Sequence, residues 1–158
     1  MLPAPSKCPT IVDLGCGPGI FASFLVEKGY KSYIGLDFSI PLISSAANHV
    51  PSYIYVCGDL RRADALSLLK NYSLFVALEF LEHINNDLAV IESLSPKSRI
   101  ILSVPNYDSA GHVRHFKGCE EAVARYSPLL RINAKNDVHG SLNKGVANKM
   151  FVLDGIKK

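Results

Sequence analysis

Short apolar runs alternate with amphipathic stretches along most of this 158-residue chain, and no other feature constrains its fold as strongly. Seven runs have the length and composition of strands, and most of the stretches between them have helical spacing. The predicted strands span residues 10–14, 33–37, 53–57, 74–78, 100–104, 130–134 and 150–153. The predicted helices span residues 20–28, a segment capped by Ser39, 61–70, 87–94 and 120–126. This alternation predicts an α/β fold, a Rossmann-like doubly wound sheet of seven mostly parallel strands with helices on both faces. We expect the last strand to be antiparallel.

The bulk composition is typical of one soluble domain spanning residues 1–158, with an irregular lead-in at residues 1–9. Hydrophobic residues make up 48% and charged residues 20% of the chain, and no apolar run approaches the roughly 20 residues of a membrane helix. The start lacks the basic and apolar regions of a signal peptide. The four cysteines form no CxxC pair, so we expect reduced thiols, no metal site and a cytoplasmic protein. A net charge of +3 is too small to indicate nucleic acid.

A glycine-rich loop follows the first predicted strand, at residues 13–19 with the sequence DLGCGPG. Glycines let the backbone turn sharply here and approach a ligand without a Cβ atom in the way. The dinucleotide fingerprint G-x-G-x-x-G requires glycine at position 20, where this chain has Ile20. The Lys-Ser/Thr pair of a P-loop is missing as well. The sequence therefore does not indicate a pyrophosphate-binding loop, and this disfavours a nicotinamide or nucleotide-sugar ligand.

Three aspartates, Asp13, Asp37 and Asp59, lie at or just beyond the ends of the first three predicted strands. Ligands of open parallel sheets bind at these carboxyl ends, near the point where the strand order reverses. Asp37 lies about 20 residues beyond the loop, where a carboxylate can accept both hydroxyls of a ribose. Asp59 could accept a hydrogen bond from an adenine amine, and Asp13 places negative charge beside the loop. A ribose, an adenine and a cationic tail together describe S-adenosylmethionine.

The order of these motifs resembles that of class I S-adenosylmethionine-dependent methyltransferases. The matching segments are 12–19 (VDLGCGPG), 35–39 (GLDFS) and 58–60 (GDL). Segments 78–84 (LEFLEHI) and 103–106 (SVPN) are similar to the small-molecule branch often called type 11, 12 or 23. The resemblance covers about the first two-thirds of the chain in the correct order.

The resemblance implies a cofactor role for each matching position, with S-adenosylhomocysteine as the product. The glycine loop would hold the methionine moiety, and Asp13 would orient the loop and the amino group. Asp37 would take the ribose hydroxyls while Phe38 packs near the adenine. The residues expected to bind the cofactor are Asp13, Gly15, Cys16, Gly17, Gly19, Asp37, Phe38, Ser39, Asp59, Leu60 and Glu79.

Two segments are candidates for handling the methyl acceptor. His83 lies about one helical turn beyond the fourth strand and has the right chemistry for a general base, although a histidine that packs or caps is the alternative. Segment 112–116 (HVRHF) resembles one that lies over the active-site mouth of related methyltransferases. Arg114 in that segment could pair with an acidic substrate. The substrate candidates are Tyr107, His112, Arg114 and His115.

These features predict methyl transfer to a small molecule, with a hydroxyl as the acceptor. After the fourth strand there is neither the Asn/Asp-Pro-Pro-aromatic stretch of many amino-methylating enzymes nor a Pro-Cys pair. Two alternatives stay open: an RNA or protein methyltransferase, and a non-catalytic S-adenosylmethionine-binding adaptor. Because no lid helix precedes the first strand, we expect an acceptor site that is open, suited to a bulky substrate, or completed by a partner subunit, as in a homodimer.

Overall fold

Seven strands and five α-helices make up the part of the chain that the computed structural model describes, residues 2–143 and 146–158. The strands are β1 (Ile11–Leu14), β2 (Tyr33–Asp37), β3 (Ile54–Cys57), β4 (Leu74–Leu78), β5 (Arg99–Pro105), β6 (Leu130–Asn143) and β7 (Val146–Lys157). The helices are α1 (Ile20–Glu27), α2 (Ile40–His49), α3 (Ala63–Ser67), α4 (Asp87–Ser93) and α5 (Cys119–Tyr126). Short 3-10 helices lie at Pro5–Lys7, Leu68–Asn71 and Leu81–His83. Among the described helices, none has both the length and the apolar character needed to cross a membrane.

The strands form one sheet in the order β3-β2-β1-β4-β5-β7-β6. Strands β1 to β5 pair in parallel, whereas β7 runs antiparallel to both of its neighbours, β5 and β6. This confirms the predicted fold class, including the antiparallel last strand. The strand order reverses at β1 and β4, so the crevice beyond their carboxyl ends is the expected ligand site.

Helices cover both faces of the sheet, and each face has its own apolar core. On one face, Ala22 and Leu25 of α1 pack in a cluster with residues of β1, β2 and β4. The other face carries the larger cluster, in which α3, α4 and α5 contribute buried side chains such as Ile91 and Tyr126. The central strands are buried on both sides, which is why they are short apolar runs without polar alternation.

Strands β6 and β7 are much longer than the sequence predicts. Both predicted segments, 130–134 and 150–153, lie within them, and the 150–156 part of β7 pairs with β5. From His139 onward, β6 pairs with the part of β7 before Met150, in a hairpin that extends past the end of β5. Residues 135–140 of β6 are exposed, and their polar sequence fits this, since an exposed strand needs no apolar face.

Helix α3 is shorter than the predicted helix at 61–70. The Asp59 carboxylate accepts the backbone N–H of Arg61 at 3.0 Å, and the Asp59 carbonyl accepts that of Arg62 at 2.9 Å. These bonds form a turn that delays the helix to Ala63. The C-terminal part of the predicted helix forms the 3-10 helix Leu68–Asn71 instead.

Candidate active site

The carboxyl ends of β1 to β4 border a cavity of about 410 Å³ at the reversal point of the sheet. This volume lies within the usual range for sites that bind small molecules. The cavity is lined by the glycine loop after β1, the end of β2, the turn after β3 and the segment after β4. Its lining residues are Gly15, Gly17, Leu36, Asp37, Phe38, Leu42, Gly58, Asp59, Leu60, Arg61, Glu79, Phe80, His83 and Ile84.

The glycine loop turns the chain from β1 into α1 through backbone conformations that favour glycine. Gly15, Gly17 and Gly19 have φ angles of +76°, +52° and +86°, in the left-handed region. The N–H groups of Gly15 and Cys16 donate to the Leu36 carbonyl at 2.8 and 2.9 Å, which fixes the loop against β2. A Cβ atom added at Gly17 would meet nothing within 4 Å. The backbone at Gly17 is therefore open to a ligand in the cavity.

Asp37 ties the glycine loop to the end of β2. Its Oδ2 accepts the N–H of Gly17 at 3.1 Å, and its Oδ1 accepts the N–H of Ser39 at 2.9 Å. The residue is only 9% exposed, yet it lines the cavity, and each oxygen keeps a lone pair for a ligand. Ser39 occupies the predicted cap position of α2, but its hydroxyl makes no capping bond. The Asp37 carboxylate binds the Ser39 N–H instead.

Asp59 lines the cavity with its carboxylate held by Arg61. The Nε and Nη2 atoms of Arg61 each donate to an Asp59 oxygen at 2.8 Å, and the backbone N–H of Arg61 donates as well. These hydrogen bonds lower the pKa of Asp59 to about 2, so the group is ionised at neutral pH. The same guanidinium lies 5.4 Å from the centre of the exposed Phe38 ring, within cation–π range.

Asp13 is buried behind the glycine loop. Its Oδ2 accepts the hydroxyl of Tyr33 at 2.7 Å. With Cys16 and Glu79 it borders a second cavity of about 360 Å³, which shares lining residues with the first. Burial raises the pKa of Asp13 to about 7, the Tyr33 hydrogen bond lowers it in part, and the charge of Asp37 raises it further. Burial and the same two carboxylates raise the pKa of the Cys16 thiol to about 12, which keeps it protonated.

The raised pKa of Asp13 predicts a loss of stability as the pH rises. Between the ordinary pKa of 3.8 and about 7, folded Asp13 keeps the proton that the unfolded chain releases. Because the folded state binds more protons in this window, the free energy of unfolding falls as the pH rises through it. The Asp13→Asn variant lacks this titration, so its stability relative to the wild type is expected to rise by about 2 kcal/mol from pH 5 to pH 8. Chemical denaturation at both pH values measures the difference, and a relative stability that does not change with pH would contradict the account.

Glu79 follows β4 in a left-handed conformation that is unusual for a residue with a side chain. Its φ angle is +51°, and its N–H donates to the Ser103 hydroxyl at 3.0 Å. Strained backbone of this kind concentrates at functional sites. Glu79 lines both cavities, together with Asp37 on one side and Asp13 on the other. Of the described residues that line the main cavity, Arg61 alone carries a guanidinium or ammonium group, and it is already ion-paired.

Glu82, His83 and His112 form a cluster at the edge of the main cavity, which we call the EHH cluster. Glu82 is fully buried, and no other described residue hydrogen-bonds to either of its carboxylate oxygens. The Nδ1 atom of His83 is bonded to the Gly111 carbonyl at 3.1 Å, and that of His112 to the Tyr107 carbonyl at 3.2 Å. Because a carbonyl only accepts, each Nδ1 carries the proton and each Nε2 is the lone-pair nitrogen of the neutral ring.

Tyr107 lies beside the EHH cluster. Its ring centre is 5.7 Å from that of His112. Burial raises the pKa of the Tyr107 hydroxyl, and the nearby carboxylates of Glu79 and Glu82 raise it further. The fold thus brings two of the four substrate candidates to the cavity edge. A third, His115, is exposed on the same loop.

Arg114 is not among the described lining residues of the main cavity, and it holds the loop of residues 106–117 in place. Its guanidinium donates to the carbonyls of Leu81 and, at 2.6 Å, Ile84, and it pairs with Asp87 at 3.3 Å. It also donates to the Asn85 carbonyl at 3.3 Å. These partners occupy the donors that were expected to grip an acidic substrate. The contacts instead anchor the loop that carries His112 against the 3-10 helix that carries Glu82 and His83.

Sequence reasoning missed two charged residues of the site, Glu82 and Arg61. A signal for Glu82 was present, since an acidic residue stands inside the largely apolar segment 78–84 and three positions after Glu79. Arg61 was considered only as the first residue of the predicted helix at 61–70. Its contacts with Asp59 and Phe38 depend on how the turn after β3 folds, which spacing alone does not indicate.

Comparison with protein families matches residues 1–142 to the family described as "Methyltransferase domain". Two curated relatives are trans-aconitate 2-methyltransferases. The one from Azoarcus sp. (strain BH72) is 30% identical over 106 residues, 65% of this chain and 42% of the relative. The one from Rhizobium leguminosarum bv. trifolii (strain WSM2304) is 25% identical over 171 aligned positions, 92% of this chain and 66% of the relative. The chain thus spans less than two thirds of the length of either relative.

Solved structures share the fold at low sequence identity. A S-adenosylmethionine-dependent methyltransferase from Anabaena variabilis ATCC 29413 superposes with a TM-score of 0.74 at 15% identity, covering 94% of this chain and 77% of the other. The N-methyltransferase NodS from Bradyrhizobium japonicum WM9, solved with S-adenosylhomocysteine, gives a TM-score of 0.74 at 16% identity, covering 98% and 81%. The family match covers most of the chain. The strand order of the sheet and the glycine loop at its reversal point agree with that match. The chain belongs to the methyltransferase domain family, within the class I S-adenosylmethionine-dependent methyltransferases.

Proposed function

We propose that this chain transfers the methyl group of S-adenosylmethionine to an oxygen atom of a small-molecule acceptor. The observation that carries the proposal is the position of the EHH cluster at the edge of an acidic cavity that begins at the glycine loop. The acidic wall suits a cofactor whose sulfonium and amino groups are both positive. The imidazoles beside it suit an acceptor that must lose a proton.

The residues present fit this cofactor. Gly17 leaves open space where a Cβ atom would stand, and the Asp37 carboxylate keeps free lone pairs for the two ribose hydroxyls. Asp13 and Glu79 border the second cavity, where they would attract the amino group of the methionine part. Phe38 and Leu60 offer apolar surface to the adenine.

Asp59 can contribute to adenine recognition without releasing Arg61. Its Oδ1 accepts two donors of Arg61, whereas its Oδ2 accepts one. A carboxylate oxygen accepts two hydrogen bonds, so Oδ2 keeps a lone pair for the adenine amine. The guanidinium stays above Phe38, where it would flank the same ring.

When bound, S-adenosylmethionine supplies an electrophilic methyl group on a sulfonium. The chain positions the acceptor oxygen in line with that group and excludes water, since such a displacement depends mainly on orientation. His83 lines the cavity, and its Nδ1 proton is engaged by Gly111. Its Nε2 can therefore take the acceptor proton as a general base. We assign Arg114 a positioning role, because its guanidinium is engaged by the protein.

The names of the relatives support an oxygen acceptor of low molecular weight. Both curated relatives are named as methyltransferases of trans-aconitate, a small acid. Tyr107 lies beside His112 of the EHH cluster, and both would contact the acceptor. His115 is exposed on the same loop, where it could contact a larger acceptor molecule.

Methyl transfer from labelled S-adenosylmethionine to a panel of hydroxy acids, carboxylic acids, phenols and amines tests this function. We expect an oxygen acceptor to be methylated. The His83→Ala variant should then lose about a hundredfold in turnover, while its affinity for S-adenosylhomocysteine changes little. His49→Ala is the matched control, because that exposed histidine bonds only to Ser45 and Pro18 among the described residues. Methylation of amines alone, or equal turnover by both variants, would contradict the proposal.

A further inference from the structure

The EHH cluster contains an arrangement that the proposed cofactor does not use. One oxygen of Glu82 and one ring nitrogen each of His83 and His112 lie within 4.8 Å of one another. Glu82 is fully buried and its carboxylate lacks any other described hydrogen-bonding partner. Burying an ionised carboxylate is costly unless a cation or several donors accompany it. The guanidinium of Arg114 donates to backbone carbonyls and pairs with Asp87, and no hydrogen bond joins it to Glu82 among the described residues.

Both histidines make the second hydrogen bond that usually accompanies a metal-binding imidazole. A metal-binding imidazole usually donates its other N–H to a carbonyl or carboxylate, which fixes the ring and directs the lone pair at the ion. His83 donates from Nδ1 to the Gly111 carbonyl, and His112 donates from Nδ1 to the Tyr107 carbonyl. Each ring therefore presents Nε2 as a free ligand atom.

The protein also fixes the two segments that carry the three side chains. Glu82 and His83 lie in the 3-10 helix Leu81–His83, and His112 comes from the loop above it. The backbone N–H of Val113 donates to the Glu82 carbonyl at 2.8 Å. Arg114 bonds to carbonyls at and just beyond the same 3-10 helix. Ligand atoms about 2.1 Å from a shared ion would stand about 3–4 Å apart, and the three side chains already offer ligand atoms within 4.8 Å of one another.

We propose that Glu82, His83 and His112 bind one divalent transition-metal cation at the acceptor side of the cofactor cavity. Two imidazoles and one carboxylate are the ligand set of Mn²⁺, Fe²⁺, Co²⁺ or Zn²⁺ and leave positions open for a substrate. The sequence led us to expect no metal, because the four cysteines form no CxxC pair. The three ligands proposed here are far apart in the sequence, with His112 lying 29 residues after His83. The fold brings them together.

The location assigns the ion a role, which rests on the proposed function. An acceptor hydroxyl bound to the cation loses its proton to solvent more readily, as metal-bound water does. Its oxygen then forms the new C–O bond while the C–S bond of the methyl donor breaks and its electron pair stays on sulfur. The products are the methylated acceptor and the neutral thioether. In the metal-bound state His83 is a ligand and no longer a free base, since Nε2 has one lone pair.

Metal titration of the protein without a histidine tag tests the site directly. After chelator treatment and dialysis, Co²⁺ is titrated with detection by visible absorption, and Mn²⁺ with detection by the electron paramagnetic resonance of the free ion. The wild type is expected to bind one ion per chain. Glu82→Gln, His83→Ala and His112→Ala should each weaken binding at least tenfold, and the control His139→Ala, an exposed histidine on β6, should match the wild type.

The outcomes separate this inference from the proposed function. Lack of Co²⁺ and Mn²⁺ binding up to about 1 mM, or equal affinity in wild type, His83→Ala and His112→Ala, would overturn the metal site. Titration of S-adenosylhomocysteine into the same samples shows whether each variant is folded and binds the cofactor product. If S-adenosylhomocysteine binds and the metals do not, the metal site fails alone. If the metals bind as expected and S-adenosylhomocysteine does not, the proposed function fails and the site stands.

Discussion

Replacing Asp87 with alanine is expected to lower the free energy of unfolding by about 3–5 kcal/mol. Asp87 is fully buried at the first position of α4. Its oxygens accept Nε and Nη2 of Arg125 at 2.7 and 2.8 Å and the Tyr126 hydroxyl at 3.2 Å, and Arg114 pairs with it at 3.3 Å. Removing the carboxylate leaves two partly buried guanidinium groups without their shared counterion.

Chemical denaturation measures this effect, with Asp64→Ala as the matched control. Asp64 also pairs with an arginine, Arg62, at 3.2 Å, but both side chains are exposed. Exposed pairs contribute little, so the control should have nearly the same stability as the wild type. Equal stability losses in the two variants would contradict the central role of Asp87.

The second large effect is expected at Gly15, whose alanine variant should lose about 2–5 kcal/mol of stability. A Cβ atom at Gly15 would lie 2.3 Å from Cδ2 of Phe80, and the φ angle of +76° adds strain for any residue with a side chain. Gly17→Ala is the matched control, because Gly17 is also left-handed at +52° but has open space around it. It should lose only about 1 kcal/mol from strain.

Although Gly17→Ala should be the more stable of the two glycine variants, its affinity for ligand should fall. The alanine methyl at Gly17 would occupy cavity space, so we expect this well-folded variant to bind S-adenosylhomocysteine at least tenfold more weakly than the wild type. Thermal or chemical denaturation together with a ligand titration measures both properties. Similar stability for the two variants would show that Phe80 does not pack over Gly15 as described.

The fold was predictable wherever burial dictated the sequence. Each central strand of a two-sided parallel sheet must be a short apolar run, so β1, β2 and β4 were identified with nearly correct bounds. The position of Asp37 beside the glycine loop was also predictable, since it follows from the strand–turn–helix geometry. The outer hairpin of β6 and β7 was not, because exposed paired strands need no apolar pattern.

The site was less predictable than the fold because side-chain partners depend on tertiary contacts. Arg114 has the composition of a substrate-binding residue, yet in the folded chain its donors meet backbone carbonyls and Asp87. Glu82 carries a charged side chain, which is usually exposed, yet it is buried in the structure. Neither outcome follows from local spacing, since each depends on the loop of residues 106–117 packing over the 3-10 helix after β4.

Calorimetric titration tests most directly whether this chain binds the adenosyl cofactor. S-adenosylhomocysteine and NAD are titrated into the wild type and into Asp37→Ala, whose missing carboxylate would have held both the Gly17 N–H and the ribose. We predict one S-adenosylhomocysteine site per chain, at least a tenfold loss of affinity in Asp37→Ala, and no NAD binding. Binding of NAD with no binding of S-adenosylhomocysteine would contradict the account.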